Sequence, residues 1–527
     1  MAKYIGVDVG SRSVRALALA QNGQVLATTT EPINVFSPEE GHYEQSSEEI
    51  WAAVVKTVSG LRLDLSGVEG IGFDATCSLV SLRPDGSSHA LRECSANDVI
   101  MWMDHRAGAE ADDISATKHE RLKYVGGSIS LESQCPKLLW LKRHQTTAWW
   151  NAAGHFFDLP DFLTYKATGK LTRSQCSLVC KWLYASSDTG SGWDDDFLAT
   201  IGLEDLSENN HCKLGNDVRL PGETVGKLSK KAAAELGLPV NVAVGGSIID
   251  AYSGVLGAFS TMEKETAVII AGTSTCHLVP SPSANFVPGV WGPYFRVLGI
   301  PGLWVLEGGQ SAVGSVLDQV LWTYAGGPGG DLFPDTASLS QLHSSVIDYI
   351  AEHEVEASSL HVWPDYHGNR SPLADSRLRG AILGLQLHNA QEEPLQKRRH
   401  LLASVYLAHV EAFALQSRQI LEACGGLEEG GEVLLCGGLH HNPLYVQAHA
   451  DALQMGIRIP EVDETVALGA ALLGAAAAQR LPLSQVLSAL PSPSRLCQPN
   501  AARQAYFQAK YKAFAALQDT MLNIYCN

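Results

Sequence analysis

The chain has 527 residues, of which 45% are hydrophobic and 18% are charged. This length exceeds what one hydrophobic core usually supports, so the sequence predicts a folded protein of two domains with a cleft between them. A formal net charge of -18 without a long basic run argues against a nucleic acid or a membrane surface as partner.

Eleven cysteines are scattered along the chain without a Cys-x-x-Cys pair. That pattern disfavours a disulfide framework and a thiolate zinc site. The amino terminus enters a strand pattern without the apolar stretch of a secretory signal, so we expect a cytoplasmic protein. The longest apolar run, residues 466–478, is shorter than the roughly 20 residues that span a bilayer and predicts a buried helix.

The first elements in chain order form a strand, a glycine turn and two more strands. Residues 4–11 contain the first strand and the turn, and residues 14–20 and 24–29 have strand patterns. Asn-Gly between the last two is a strong signal for a tight hairpin. A helical pattern at residues 48–61 and a strand at 70–73 follow, which predicts an α/β fold class.

The second half repeats this organisation. Residues 267–279 predict two strands joined by the small-residue turn Gly272-Thr273-Ser274. Residues 432–436 predict a buried strand that is followed by a glycine turn, a helix, a strand and the Ala-rich helix. Such an order suits a parallel layered domain that brings backbone close to a ligand. We therefore predict two α/β lobes, residues 1–259 and 260–527.

The segment GVDVGS, residues 6–11, joins two strands rather than a strand and a helix, so it is neither a Walker loop nor a Rossmann fingerprint. Its glycines let backbone amides approach phosphate, Ser11 adds a hydroxyl and Asp8 can hold a hydrated magnesium ion. A plain tight hairpin explains one such segment. Two of them, with residues 272–274 as the second, favour a nucleotide site with one hairpin from each lobe.

Two phosphate-contacting hairpins, one from each lobe, resemble the actin-like ATPase superfold. The full set of segments is similar to the FGGY carbohydrate kinase family over nearly the whole chain: residues 6–11, 136–141, 245–251, 272–274, 379–385 and 436–439. The stretch at 136–141 departs slightly, because Gln134-Cys135 stand where Pro, Ser or Thr is more usual. The resemblance implies an α/β protein of two actin-like (ribonuclease H-like) lobes that phosphorylates a sugar with ATP and Mg²⁺.

Three further stretches are similar to the D-ribulokinase branch of that family: FDATCSLV at residues 73–80, MWMDHR at 101–106 and WPDYHGNRSP at 363–372. They imply phosphorylation of the ketopentose D-ribulose to D-ribulose 5-phosphate. L-Ribulose, xylulose and ribitol stay open as substrates, because they differ only in hydroxyl configuration or oxidation state. An actin-like or chaperone-like ATPase and a catalytically silent sugar-binding regulator are the rivals, and a homodimer is left open.

Asp250 follows a Gly-Gly turn and an apolar pair. This pattern predicts a carboxylate that begins or caps a helix at the cleft. The resemblance implies that Asp250 contacts the sugar and is the catalytic base that accepts its hydroxyl proton. Helix capping alone is the alternative.

The sugar pocket is implied by the resemblance to contain, besides Asp250, these residues: Ala75, Thr76, Cys77, Asp104, Lys181 and Glu307. Lys181 lies in an apolar context, where a buried ammonium needs a partner or a ligand. Glu307, at a predicted glycine turn, can accept hydrogen bonds from hydroxyls. The alternatives are a snorkelling Lys181, a solvent-facing Glu307, and core packing of the two small residues Thr76 and Cys77.

Residues 102, 104 and 106 alternate as they would on one face of a strand. The resemblance suggests that this face contacts the substrate, whereas a surface pair between Asp104 and Arg106 is the alternative.

The ATP site is implied by the resemblance to contain Gly10, Ser11, Arg12, Gly272, Thr273, Ser274, Gly314, Gly437, Gly438 and Asn442. The bare backbone at Gly437 and Gly438 suits a loop that admits the adenosine, with Asn442 hydrogen-bonding nearby. A simple turn between a strand and a helix is the alternative.

Overall fold

The structure is a computed structural model that describes residues 3–258, 267–386, 394–427, 430–490 and 493–526. Two seven-stranded sheets form the centres of two α/β lobes. The α/β class and the two-lobe organisation predicted from the sequence are therefore confirmed. The predicted boundary between residues 259 and 260 lies outside the described residues.

The first half of the chain contains these strands: β1 Lys3–Val9, β2 Ser13–Ala20, β3 Val25–Pro32, β4 Glu44–Gln45, β5 Val68–Ala75, β6 Leu79–Leu82, β7 Val99–Ile100, β8 His155–Asp158, β9 Arg173–Ser174, β10 Ala185–Ser187, β11 Gly190–Gly192, β12 Val218–Arg219, β13 Thr224–Lys227, β14 Ala243–Gly245 and β15 Ile248–Ile249. Its helices are α1 Ser47–Gly60, α2 Gly108–Ala116, α3 Gln134–His144, α4 Thr147–Ala152, α5 Leu159–Thr168, α6 Gln175–Lys181, α7 Asp195–Thr200, α8 Glu208–His211, α9 Lys230–Leu236 and α10 Asp250–Ala258.

The second half contains the strands β16 Val268–Ala271, β17 Thr275–Ser281, β18 Trp291–Phe295, β19 Trp304–Gln310, β20 His361–Trp363, β21 Ala381–Leu383, β22 Glu432–Cys436, β23 Gly456–Pro460 and β24 Ser494–Cys497. Its helices are α11 Gly314–Ala325, α12 Leu339–Glu352, α13 Leu395–Cys424, α14 Pro443–Leu453, α15 Thr465–Gln479, α16 Leu483–Ala489 and α17 Gln504–Tyr525.

The two large sheets share one plan. The first has the order β13-β14-β5-β1-β2-β3, with β15 also paired to β5, and the second has the order β18-β19-β17-β16-β22-β23-β24. In each sheet an antiparallel three-stranded unit adjoins parallel strands, β5 beside β1 and β22 beside β16. Each predicted phosphate hairpin connects the first two strands of such a unit. Both hairpins therefore occupy equivalent positions in their lobes.

Two sequence predictions of local structure are wrong. Residues 101–106 form turns after β7 rather than a strand, so their side chains do not alternate on one face. Glu307 lies inside β19, where it pairs with Leu278 and Trp291, rather than at a glycine turn. A glycine pair after a residue does not mark a turn when the strand that contains it is buried along its whole length, as β19 is.

The Ala-rich helix α15 comes from the second half of the chain but packs on the sheet of the first lobe. An added Cβ at Gly72 of β5 would lie 2.1 Å from the carbonyl oxygen of Ala470, and one at Gly6 would lie 2.0 Å from that of Ala467. The helix also crosses α10, since a Cβ at Gly257 would lie 1.9 Å from the carbonyl oxygen of Thr465. Helices α10 and α15 thus join the lobes through backbone-to-backbone contacts that only glycine permits.

The buried helix predicted at residues 466–478 is confirmed by α15. Within the described ranges, no single helix is long and apolar enough to cross a membrane. The pair formed by α15 and α16 meets the length and composition criteria only jointly, and the two helices are bent by 113°.

We expect Gly72→Ala to destabilise the protein, because the new methyl group collides with the backbone of α15. Overpacking of this kind costs about 1–3 kcal/mol. Urea unfolding followed by circular dichroism measures the effect as a lower midpoint. The matched control is Gly108→Ala, where nothing lies within 4 Å of an added Cβ and where the midpoint stays near that of the wild type. Equal midpoints for both variants would contradict the close contact.

Candidate active site

A cavity of about 390 Å³ lies between the lobes, and both predicted hairpins contribute to its wall. Gly10 comes from the turn between β1 and β2, and Gly272, Thr273 and Ser274 come from the turn between β16 and β17. Gly437, which follows β22, adds a third backbone segment. The structure thus brings the main predicted nucleotide-binding turns to one cavity.

Three carboxylates converge beside this cavity, those of Asp8 and Asp74 buried and that of Asp250 half-buried. Asp8 is on β1, Asp74 lies opposite it on β5, and Asp250 begins α10 at the end of β15. Burial, together with the charges of Asp8 and Asp250, raises the pKa of Asp74 well above its ordinary value. Burial and the charge of Asp8 raise the pKa of Asp250 to about 7. Because the three carboxylates repel one another, binding of a proton or a cation at this cluster is favourable.

Arg15 gives this cluster its nearest cation. Its guanidinium contacts Asp8 at 3.0 Å and Glu464 at 3.8 Å, and the side chain lines the cavity. Burial raises the pKa of Asp8, although Arg15 opposes the shift. The side chain of Arg12, predicted to contact the nucleotide, is instead exposed and does not belong to the cavity wall.

The opposite end of the cavity holds a network of two cations and two anions. Lys181 contacts Glu132 at 3.3 Å, and Arg370 contacts Glu132 at 3.3 Å and Glu307 at 3.0 Å. Burial acts to lower the pKa of Lys181, but electrostatic interactions with Cys77, Glu307 and Glu132 outweigh it and raise that pKa well above its ordinary value. Burial likewise acts to raise the pKa of Glu132, but Arg370 and Lys181 hold it below its ordinary value.

An aromatic residue connects the two cations of this network. The Lys181 ammonium and the Arg370 guanidinium each lie 4.4 Å from the centroid of the Trp291 ring. Tyr252 donates a hydrogen bond of 2.9 Å to Glu307. Lys181 and Glu307 are therefore both buried, which excludes the snorkelling lysine and the solvent-facing glutamate that the sequence left open.

The sugar-pocket residues predicted near β5 are only partly brought to the cavity. Thr76 and Cys77, which follow β5, line it. Ala75 is fully buried inside the sheet, where it pairs with Val9 and Ile249. Burial also raises the pKa of the Cys77 thiol, so this side chain meets the cavity as a neutral group.

Asp104 lies away from the cavity wall. Its carboxylate accepts hydrogen bonds from the backbone N–H of Tyr43 at 2.6 Å and from the guanidinium of Arg106 at 2.8 Å. Arg106 also binds Glu44 at 3.0 Å. Because all three charged side chains are buried, Asp104 and Arg106 form an interior ion pair rather than a surface one.

Gly314 and Ser11, two further residues predicted to bind the nucleotide, form hydrogen bonds within the protein. The Gly314 N–H donates to the carbonyl oxygen of Gly272 at 3.1 Å, where a Cβ on Gly314 would lie 2.8 Å from that oxygen. Gly314 therefore supports the second hairpin from behind. Ser11 accepts a hydrogen bond of 2.9 Å from the Trp102 indole.

Asn442 caps α14 by accepting from the backbone N–H groups of Leu444 and Tyr445, and it donates to the Tyr406 hydroxyl at 3.1 Å. Its side chain is thereby engaged inside the second lobe. Gly437 adopts φ 87°, and a Cβ there would lie 2.5 Å from the carbonyl oxygen of Ala271. A Cβ added to the neighbouring Gly438 would have no atom within 4 Å.

Sequence reasoning missed three charged residues that line the cavity, Arg15, Glu132 and Arg370, and a fourth beside it, Asp74. Asp74 and Arg370 lie within the stretches that carry the resemblance, at residues 73–80 and 363–372, which was the available signal. Arg15 is the direct β-partner of Asp8, so correct register between β1 and β2 would have revealed it. Glu132 gives no local signal, because its partner Arg370 is 238 residues away.

Comparison with known proteins agrees with this geometry. The N-terminal domain of the FGGY family of carbohydrate kinases matches residues 3–257, and the C-terminal domain of that family matches residues 267–478. An FGGY carbohydrate kinase domain-containing protein of Danio rerio is 43% identical over 98% of this chain and 97% of the relative. A D-ribulokinase of Saccharomyces cerevisiae is 38% identical over 90% of this chain and 72% of the relative.

A solved structure shows the same fold. The xylulose kinase of Rhodospirillum rubrum has a TM-score of 0.81 and 21% identity, with all of both chains covered. The match of both domain models, more than the fold itself, defines the class of protein as a phosphotransferase that acts on a sugar hydroxyl. The chain belongs to the FGGY family of carbohydrate kinases, whose members use ATP to phosphorylate a sugar hydroxyl.

We expect Glu132→Gln to lower stability, because the neutral amide removes the ion pair of Lys181 and one of the two ion pairs of Arg370. Leaving a buried charged group without its partner costs at least about 1–3 kcal/mol. A urea titration measures it as a lower unfolding midpoint, with the exposed substitution Glu93→Gln as the matched control. A Glu132→Gln midpoint equal to that of the control would show that the network contributes nothing to folding.

Proposed function

We propose that this protein is an ATP-dependent D-ribulokinase that forms D-ribulose 5-phosphate and ADP. The main support for this proposal is that Asp250, Lys181 and Glu307 line the same cavity as the two glycine hairpins. Phosphoryl transfer needs positioned phosphates, neutralised charge and a proton acceptor near the attacking hydroxyl. The D-ribulokinase named among the relatives supports the choice of substrate.

Asp250 is the proposed catalytic base. Its backbone begins α10, one carboxylate oxygen accepts from the Ala251 N–H at 2.7 Å, and the side chain faces the cavity. In the proposed reaction the sugar oxygen forms a bond to the γ-phosphorus as the bond from that phosphorus to the bridging oxygen of ADP breaks. The hydroxyl proton passes to the Asp250 carboxylate. The pKa of Asp250 is about 7, so this carboxylate is deprotonated and able to accept the proton when the pH is above that value.

The residues present fit a magnesium ion at the nucleotide end. Among the described residues, neither carboxylate oxygen of Asp74 has a hydrogen-bond partner, although the side chain is fully buried. Asp8 and Asp74 supply the oxygen donors that Mg²⁺ prefers. These two residues would hold it, and when bound it would neutralise charge on the ATP phosphates.

The polar network at the other end is the proposed sugar site. Lys181 donates hydrogen bonds only, whereas Glu307 accepts, so the pair suits the carbonyl and hydroxyl groups of a ketose. The buried Nε of Arg370 has no acceptor within the described part of the chain, which leaves one more donor for a hydroxyl. Thr76 and Cys77 shape the wall beside these groups. Lobe closure around both substrates would exclude water and prevent ATP hydrolysis.

The first lobe, residues 1–259, supplies Asp250, Lys181 and Thr76 to this mechanism, and the second lobe, residues 260–527, supplies the second hairpin and Glu307. An actin-like or chaperone-like ATPase without sugar chemistry has no use for a buried Lys181 and Glu307 facing a cavity. The same contacts leave L-ribulose, xylulose and ribitol as the competing substrates.

We expect Asp250→Asn to lower kcat by about 10²–10⁴-fold, because the amide fills the same space but accepts no proton. ATP affinity should stay near that of the wild type, measured by isothermal titration calorimetry. The exposed substitution Asp188→Asn is the control and should leave kcat unchanged. Turnover of Asp250→Asn within a few fold of the wild type would remove this residue from the base role.

The pH profile provides a second measurement of the same role. A base acts only when deprotonated, so kcat/KM for the sugar should be constant at high pH and fall as the pH drops through the pKa of Asp250, which is about 7. A bound cation lowers that midpoint and does not raise it. A profile that rises toward acidic pH would contradict the assignment.

We expect D-ribulose to exceed D-xylulose and ribitol in kcat/KM by on the order of tenfold, or about 1.4 kcal/mol, in an ADP-release assay. Replacing Thr76 by Met should narrow this preference because the larger side chain enters the sugar pocket. The exposed substitution Thr200→Met is the control and should keep the ranking. If the wild type prefers xylulose or a pentitol, the D-ribulokinase assignment fails while the family assignment stands.

A further inference from the structure

A cluster of two histidines and one aspartate lies outside the proposed phosphoryl-transfer site. His440 and His441 end the short 3₁₀ turn Gly438–His441, and Asp463 precedes α15. One ligand atom from each residue lies within 4.8 Å of the other two. The Oδ1 atom of Asp463 lies 3.5 Å from Nε2 of His440 and 3.8 Å from Nε2 of His441.

His440 has the orientation of a metal-binding histidine. Its Nδ1 lies 2.8 Å from the carbonyl oxygen of Gly437. A carbonyl oxygen only accepts, so Nδ1 carries the proton and Nε2 presents its lone pair toward Asp463. Metal-bound histidines usually donate their second ring N–H in this way, which fixes the ring and its tautomer. The His440 side chain is also buried, so its position is held by the fold.

The other two side chains are free to adjust around an ion. The side chains of His441 and Asp463 are 64% and 72% exposed. Donor atoms of a tetrahedral ion bound at about 2.1 Å lie roughly 3.4 Å apart. The separation between His440 and Asp463 is already close to this value, and a small rotation of His441 brings its Nε2 within range. The two imidazole rings pack against each other at an interplanar angle of 41°, with centroids 3.9 Å apart.

The donor set selects the class of ion. Two imidazole nitrogens and one carboxylate oxygen suit Zn²⁺, with a fourth position left for water or another ligand. Mg²⁺ prefers oxygen ligands and retains its water, so it does not compete well for such a set. A simple ion pair would need only one imidazole, whereas here the Nε2 atoms of both rings approach the same carboxylate oxygen.

We propose that His440, His441 and Asp463 bind one Zn²⁺ ion. The site joins two segments that reach the wall of the interlobe cavity, the turn after Gly437 and the start of α15 at Val466. A bound ion would cross-link these segments on the nucleotide side of the cleft. This site is separate from the aspartates proposed for Mg²⁺ and does not depend on the identity of the sugar.

The test uses the full-length protein, with any affinity tag removed and with metals stripped by a chelator. Titration with Zn²⁺ against a chromophoric chelator should show one ion per chain. His441→Gln and Asp463→Asn should each lower Zn²⁺ affinity by at least about tenfold, since even outer-shell partners of metal sites contribute tenfold to a hundredfold. Both positions are exposed, so both variants should fold, as circular dichroism can check.

His400→Gln removes an exposed histidine elsewhere and should bind Zn²⁺ like the wild type. A double substitution, Cys94→Ser with Cys212→Ser, removes the two exposed thiols and should also keep the site. Binding of Co²⁺ followed by visible absorption should show a tetrahedral ion in the wild type and lose that signal in Asp463→Asn. Wild-type affinity in both His441→Gln and Asp463→Asn, or loss of binding in the thiol variant, would overturn the proposal.

Discussion

The contact between α15 and the sheet of the first lobe is the constraint on which the rest of the site depends. Backbone meets backbone there at Gly6 and Gly72, and again at Gly257 where α10 crosses the helix. Asp8 follows Gly6 by two residues on β1, and α10 begins with Asp250. A shift of α15 would therefore move the proposed metal ligand, the proposed base and the sheet edge that carries Thr76 together. Close packing makes these positions one mechanical unit.

The two ends of the cavity differ in charge balance. At the proposed sugar end, Lys181 and Arg370 face Glu132 and Glu307, so two positive charges meet two negative ones in a closed network. At the proposed nucleotide end, the ion pair between Arg15 and Asp8 is the one contact that the three aspartates make with a cation among the described residues. A balanced network is stable without ligand, whereas crowded carboxylates favour an arriving cation. This difference suits the neutral sugar proposed for one end and the metal-bound nucleotide proposed for the other.

Prediction from sequence succeeded where the signal was local. A continuous pattern of apolar and small residues encodes each glycine hairpin, the strand β22 and the helix α15. The sequence predicted each of these elements close to the position that it has in the structure. Asp250 was placed correctly because its Gly-Gly turn precedes a helix.

The residues that the sequence placed differently or left out have physical causes that one sequence does not reveal. Arg12 and Arg15 look alike in sequence, but strand register directs only Arg15 to Asp8. Asn442 stays a prediction for the adenosine site, and the structure shows its side chain accepting from the free N–H groups at the start of α14 as a cap. Glu132 and Arg370 meet only when the lobes are assembled, so their pairing depends on tertiary structure that no local pattern encodes.

The origin of α15 in the second half of the chain has a consequence for biosynthesis. The last described residue of the first half is Ala258, and the helix that covers the sheet of that half does not begin until Thr465. At ribosomal rates of about 5–20 residues per second, the roughly 200 intervening residues take about 10–40 seconds to emerge. During that interval the nascent first lobe has an uncovered apolar sheet face, which is a natural binding surface for cellular chaperones.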